Sequence, residues 1–363
     1  MVYRAARAGG PGRWTSRSRR RAGASFILLL LIIGLGLWLA GCGGGPPAAR
    51  ARATLPARWV RFLHVPGVVD LTGPRGDGQL TVAAAGRLFL LSMSGQPVPF
   101  ARESGGYTTA LGTEPYIAMP TGKRVTGLGC SFGKDATYAL EPNGSPGVIS
   151  IDKQGQARRF ASLPAVRPDG IAFDDVGRFG YRLLVTATVR GSTTVFGVDC
   201  TGRVTTIASH APRVEGGIAV APLSFGSFGG DLVAPDETTG QIWAIGPGGK
   251  TRLIAESPLP AGGDIGVESA AFVPAGFSRA WAAYVADRRS PGNRHPGTNS
   301  ILRLPGAELT RAGIHAGELV VASEGGAQTI VINCSAVTCT VRHIADGPAA
   351  AHVEGHIVFA PPS

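Results

Sequence analysis

The chain has 363 residues and a formal net charge of +11; 44% of its residues are hydrophobic, 16% are charged, and it holds 54 glycines and 27 prolines. So little charge on so much apolar material excludes an intrinsically disordered chain, and so much glycine and proline excludes a mainly helical one. The basic surplus is concentrated in seven arginines within residues 1–41, which hold no acid; the remaining +4 is too weak to mark a nucleic-acid partner.

Those arginines (Arg4, Arg7, Arg13, Arg17, Arg19, Arg20 and Arg21) precede an apolar run at residues 26–40. The run is shorter than the ~20 residues a spanning helix needs, and a basic stretch, a short apolar stretch and small residues in succession make a signal peptide. Leu39-Ala40-Gly41-Cys42 resembles the bacterial lipobox. That resemblance implies a lipid on the Cys42 thiol, cleavage before Cys42, and anchoring at the outer face of the cytoplasmic membrane or in the cell envelope. An uncleaved anchor helix is the alternative, with the rest of the chain still outside the cytoplasm. Residues 1–41 are therefore expected as the leader, 42–54 as a flexible tether rich in Gly, Pro and Ala, and 55–363 as the folded domain.

From there on the apolar segments are four to eight residues long, rich in Val, Ile, Phe, Leu and Ala, and separated by Gly, Pro, Asp and Ser. No 3.6-residue period is sustained, so the domain is all-β with tight turns. Two units recur. One is an acid followed by a small and apolar run: Glu114-Pro-Tyr-Ile-Ala, Asp169-Gly-Ile-Ala-Phe, Glu215-Gly-Gly-Ile-Ala, Glu268-Ser-Ala-Ala-Phe and Glu354-Gly-His-Ile-Val. The other is an apolar residue plus Ala, at Phe100-Ala101, Phe160-Ala161, Ile207-Ala208, Ile254-Ala255 and Ile344-Ala345. With two further strands and a glycine turn between them, each repeat supplies about four antiparallel strands, the blade of a β-propeller. Six blades fit the spacing, with five or seven as alternatives; the stretch from Glu268 to Ile344 holds one enlarged blade or two. Residues 354–361 read as an innermost strand at the very end of the chain, expected to close the ring beside strands from residues 79–100 and so remove an open edge.

Pro168-Asp-Gly-Ile-Ala-Phe-Asp174, Leu232-Val-Ala-Pro-Asp236 with Gly240-Gln-Ile-Trp243, and Tyr284-Val-Ala-Asp287 with Ser300-Ile-Leu-Arg303 resemble NHL-repeat and gluconolactonase-like six-bladed propellers over residues 65–361. The resemblance implies the fold. Such propellers host hydrolases, lyases, dehydrogenases and binding modules alike, so it does not imply one activity. Gluconolactonase-like enzymes hold a divalent metal with Glu, Asn and Asp in the channel; the matching Asn positions are not found here, and their catalytic residues are not carried over.

Cys130, Cys200, Cys334 and Cys339 form an even set in an exported domain, as two disulfides would require. Cys334 and Cys339 bracket a hairpin turn, and Cys130 pairs with Cys200 by elimination. The five repeated acids (Glu114, Asp169, Glu215, Glu268 and Glu354) open equivalent strands and are expected around one channel mouth. There they are either a solvated rim or ligands for Ca2+ or another divalent cation. Arg288, Arg289, Arg294 and His295 lie in an inserted loop that could receive an anion, or could simply be solvated. Gly246-Pro-Gly-Gly249-Lys250 is P-loop-like but precedes a strand rather than a helix, so no nucleotide partner is expected. Gly129-Cys-Ser131-Phe-Gly133 matches a nucleophile elbow without the α/β context that motif needs. The leading expectation is a lipid-anchored extracytoplasmic propeller that binds a small ligand or an envelope partner. A metal-dependent channel enzyme (lactonase, lyase or sugar dehydrogenase) is the alternative, and a purely structural envelope protein a third.

Overall fold

The computed structural model describes residues 56–101, 114–141, 144–164 and 166–362. The leader, the tether and Cys42 lie outside the described residues. Strands β1 (Ala57–Arg58) and β2 (Val60–His64) come first. Blade 1 follows as β3 (Val68–Thr72), β4 (Leu80–Ala84), β5 (Arg87–Leu91) and β6 (Val98–Ala101). Blade 2 is β7 (Ile117–Ala118), β8 (Thr137–Glu141), β9 (Gly147–Ile151) and β10 (Ala157–Ser162). Blade 3 is β11 (Pro168–Phe173), β12 (Leu183–Val189), β13 (Ser192–Val198) and β14 (Val204–Ala211). Blade 4 is β15 (Ala219–Val220), β16 (Leu232–Asp236), β17 (Gln241–Ile245) and β18 (Thr251–Glu256).

The last two blades exchange strands. The chain makes β19 (Val267–Phe272), the innermost strand of blade 5, and then leaves for blade 6. There it forms β20 (Ala282–Asp287), β21 (Ser300–Pro305) and the short helix α1 (Gly306–Arg311). It returns to complete blade 5 with β22 (Leu319–Ser323), β23 (Thr329–Ser335) and β24 (Thr338–Asp346), and β1 adds a parallel fifth strand outside β24. Finally β25 (Val353–Ala360) enters blade 6 as its innermost strand, and β2 is that blade's outermost strand. The long stretch after Glu268 thus holds parts of two blades, and the ring has six.

Closure takes a different partner from the one expected. β25 pairs with β20, Tyr284 opposite Val358, and not with strands from residues 79–100. Blade 1 has its own innermost strand in β3, so it leaves no vacancy for β25. The first and last strands of the described domain still meet around one blade, because β2 supplies the outer edge of the sheet whose inner edge is β25.

Six buried clusters hold the ring, one at each junction between neighbouring blades. Both faces of each blade are covered, so the strands read as continuous apolar runs; all five residues of Leu232–Asp236 are buried. At the junction of blades 2 and 3, Phe132, Tyr138, Phe160 and Phe173 pack with ring centroids 4.9–5.9 Å apart, edge to face in every pair but the tilted Phe132–Phe160. The Cys130–Cys200 disulfide spans the same junction, and Cys334–Cys339 crosses the hairpin of β23 and β24.

The recurring apolar-Ala unit has a structural cause. In blade after blade the apolar residue is the extra residue of a β-bulge on the outermost strand: Phe100, Phe160, Ile207, Ile254 and Ile344 are each skipped in the pairing register. Phe62 takes the same place on β2 in blade 6, a sixth instance hidden by the sequence Phe62-Leu63. The bulge turns a backbone carbonyl toward the next blade. The carbonyl of Phe160 comes so close to Gly202, in the β13–β14 turn, that a Cβ there would lie 2.3 Å from the oxygen.

Gly246–Lys250 is the hairpin turn between β17 and β18, and Gly129–Gly133 lies in the connection from β7 to β8. Neither opens a helix. Among the described residues no helix is long and apolar enough to cross a membrane.

Candidate functional site at the charged mouth of the channel

The innermost strands run side by side around the axis and begin at the same mouth. Asp169, Glu268 and Glu354 are each the second residue of such a strand, and Glu114 and Glu215 lie just before β7 and β15. Asp169 and Glu268 sit on bulges of β11 and β19, which aim their side chains away from the regular alternation. The five acids are therefore gathered at one end of the propeller.

Buried acids need donors or protons. Arg288, from the end of β20, gives Nη1 to Glu114 Oε1 at 2.5 Å and to Glu354 Oε1 at 2.9 Å. The Tyr116 hydroxyl of blade 2 crosses the channel to Glu354 Oε2 at 2.8 Å and Glu268 Oε1 at 2.9 Å. A phenol has a single proton to give, so one of those carboxyls must itself be a donor. Glu268 is that one. It is 3% exposed, and burial with the charges of Glu354, Glu324 and Glu215 pushes its carboxyl far above the usual range. Burial also raises Glu354, but hydrogen bonds from His352 and Tyr116 and the charge of Arg288 outweigh it, and Glu354 stays ionised.

His352, just before β25, donates from Nε2 to Glu324 Oε1 at 2.8 Å and lies 3.4 Å from Glu354 Oε1. Burial opposes its charge, yet the two carboxyls raise its pKa to about 10, so the ring is cationic at neutral pH. Burial pushes Glu114 up to about 7, helped by Glu354 and opposed by Arg288. Asp169 is raised to about 6, again chiefly by burial. Arg213 holds Glu215 Oε2 at 2.7 Å and Thr238 Oγ1 at 2.7 Å.

Deeper in, the channel is blocked. His356 on blade 6 reaches from Asp70 on blade 1 (Nδ1 to Oδ2, 2.9 Å) to the carbonyl of Ile171 on blade 3 (Nε2, 2.8 Å). Both partners only accept, so both ring nitrogens carry protons. Gly355 takes φ +67° and passes so near Asp70 that a Cβ would lie 2.3 Å from Oδ1. The propeller therefore has two separate cups. One, of about 370 Å³, is lined mainly by the far ends of the innermost strands, among them Phe173, Val220, Phe272 and Phe359. The other, of about 260 Å³, lies at the charged mouth between Glu114, Arg167, Asp169, Thr188, Arg213 and Glu215.

In the inserted loop Arg288 points inward and is occupied by carboxylates, while Arg289 and Arg294 are exposed. His295 Nδ1 meets the carbonyl of Ala349 at 2.7 Å. Sequence reasoning missed Glu237, Glu324, His352 and Tyr116. Glu237 and Glu324 share a position with Arg288, the first residue after the second strand of a blade; Ala234-Pro-Asp236-Glu237 and Ala322-Ser-Glu324 beside Ala286-Asp287-Arg288 carry that signal.

Among solved structures the chain is similar to virginiamycin B lyase from Staphylococcus aureus (12% identity, TM-score 0.43, covering 84% of this chain and 95% of that one). It is also similar to a gluconolactonase from Xanthomonas campestris (16%, 0.40, covering 64% and 69%) and to TolB from Acinetobacter baumannii (14%, 0.38, covering 69% and 55%). No protein-family model and no curated protein matches the chain. The likeness is one of fold, the six-bladed propeller that the repeats in the sequence imply.

Proposed function

We propose that the protein is a binding module of the cell envelope, anchored through Cys42, which takes up a small polar ligand rich in N–H or O–H donors at the charged mouth. Asp169 carries this reading. It lines the 260 Å³ cup; its Oδ2 accepts the backbone N–H of Thr188 at 2.7 Å, while its Oδ1, buried beside the Thr186 hydroxyl, completes no hydrogen bond of good geometry. An amino or polyhydroxy compound would supply the missing donor, and the guanidinium of Arg167 would contact its other groups. The expected result is that amino sugars or polyols raise the melting temperature of the purified protein and that Asp169→Asn abolishes the shift. If anionic or apolar compounds stabilise it equally, or Asp169→Asn changes nothing, the reading fails.

Anchoring is tested apart from binding. Cys42→Ser should leave the precursor uncleaved and without lipid by mass spectrometry, and normal maturation of that variant would refute the anchor.

One observation favours the enzyme reading, a channel lactonase, lyase or sugar dehydrogenase. Glu114 lines the same cup with its carboxyl near pKa 7, poised to give or take a proton at neutral pH. A metal in such an enzyme would find Glu324, His352 and Glu354 with ligand atoms within 4.8 Å of one another, but would have to displace the proton that His352 gives to Glu324.

A further inference from the structure

A second group of acids stands beside the cup, at the seam between blades 4 and 5. Glu237 follows β16, Glu324 follows β22, and Asp264 lies in the connection from β18 to β19. One carboxylate oxygen from each falls within 4.8 Å of the others. We propose that Glu237, Asp264 and Glu324 form a binding site for a divalent cation of the Ca2+ type, separate from the ring of acids that opens the innermost strands.

The decisive group is Glu324. It is 5% exposed, its Oε1 is held by His352 Nε2 at 2.8 Å, and its Oε2 is buried with no hydrogen-bond partner. A buried acceptor without a donor is costly, the more so when charged. Glu237 is oriented in the same way. Its Oε1 accepts the backbone N–H of Asp264, and its Oε2 lies 3.8 Å from Arg213, beyond hydrogen-bond length, because Glu215 and Thr238 hold that guanidinium. The protein's donors thus steady both carboxylates from behind, as supporting groups do around metal ligands.

The segment that carries Asp264 is fixed at both ends. Gly262 N donates to the carbonyl of Glu237 at 2.9 Å, and Glu324 N donates to the carbonyl of Gly266 at 2.6 Å. The site is therefore preformed by the backbone of both blades. Two oxygens on one Ca2+ ion, each about 2.3–2.6 Å from it, can lie up to about 5 Å apart, which this cluster satisfies. An all-carboxylate set suits a hard cation, and exposed Asp264 leaves room for water to complete the shell. A proton shared between Glu237 and Glu324 is the competing way to relieve the same contact; burial raises their carboxyls to about 7 and about 8.

The test is calorimetric titration of chelator-treated full-length protein with CaCl2 at pH 8 and pH 6, with melting temperature as the second readout. One ion per chain is expected, raising the melting temperature, with weaker binding at pH 6 because protons compete. Asp264→Asn should weaken binding by about tenfold or more while leaving the fold intact, since Asp264 is exposed and Asn tolerates its left-handed backbone (φ 62°). Glu324→Gln should abolish binding. Asp169→Asn, which tests the ligand cup and touches none of these three acids, should leave calcium binding unchanged, so failure here and failure of the ligand reading are told apart. Absence of heat or thermal shift with Ca2+, Mg2+ and Mn2+ up to about 10 mM overturns the proposal. So does calcium binding of unchanged affinity in Asp264→Asn, whether or not Glu324→Gln folds.

Discussion

A chain ending at Ala351 will show no cooperative thermal transition. The deletion removes β25, the innermost strand of blade 6, which lies between β19 and β3 at the centre of the molecule. Val353, Ile357, Val358 and Phe359 are at most 6% exposed. At roughly 1.5–3 kcal/mol for each large apolar side chain, their burial is worth about 6–12 kcal/mol, comparable to the ~5–15 kcal/mol by which a whole domain is stable. The deletion also strips β20 of its inner partner and leaves an open sheet edge along the channel. Circular dichroism on heating reads the outcome. A second chain ending at Ala360, which keeps the strand, should melt like the full protein. An unchanged melting temperature in the shorter chain would refute closure by β25.

Replacing Arg288 with Met should destabilise the protein by about 3–5 kcal/mol at pH 8, the usual cost of leaving a buried charge without its partner, and by much less at pH 5. Arg288 is the cation shared by Glu114 and Glu354, and the Glu354 side chain is only 3% exposed. Without the guanidinium Glu354 rises, since only His352 and Tyr116 then oppose burial, and Glu114, whose folded pKa of about 7 already lies above its unfolded value, rises further. The folded state then binds a proton that the unfolded state has released, so stability falls as pH rises through the shifted pKa. Urea unfolding at the two pH values measures the difference. A penalty that is equal at both, or below about 1 kcal/mol at pH 8, would show that the pair is screened by solvent.

Much of the site is visible in the repeats because propeller symmetry repeats its registers. Five acids at the start of equivalent strands come together once those strands are set around an axis. Their partners carry no such mark. Tyr116 is 152 residues from Glu268 and 238 from Glu354, and only the position of blade 2 across the channel brings its hydroxyl to both. Arg288 is 174 residues from Glu114. Glu237 and Glu324 come from loops of different blades, and Asp264 joins them because the connection between those blades folds over Glu237.

The sequence by itself determined the all-β class, the blade as the repeating unit, the apolar-Ala pair recurring once in each repeat, and the hairpin disulfide of Cys334 and Cys339. Each is set by local periodicity, turn chemistry or composition, which act within a few residues. The tertiary structure alone decided that blades 5 and 6 exchange strands, that β25 pairs with β20, and that His356 blocks the channel. The same succession of short apolar strands suits either order of insertion, since every blade interior is apolar on both faces. The choice between them rests on which side chains fill each junction, and no residue reports that until its neighbour across the ring is in place.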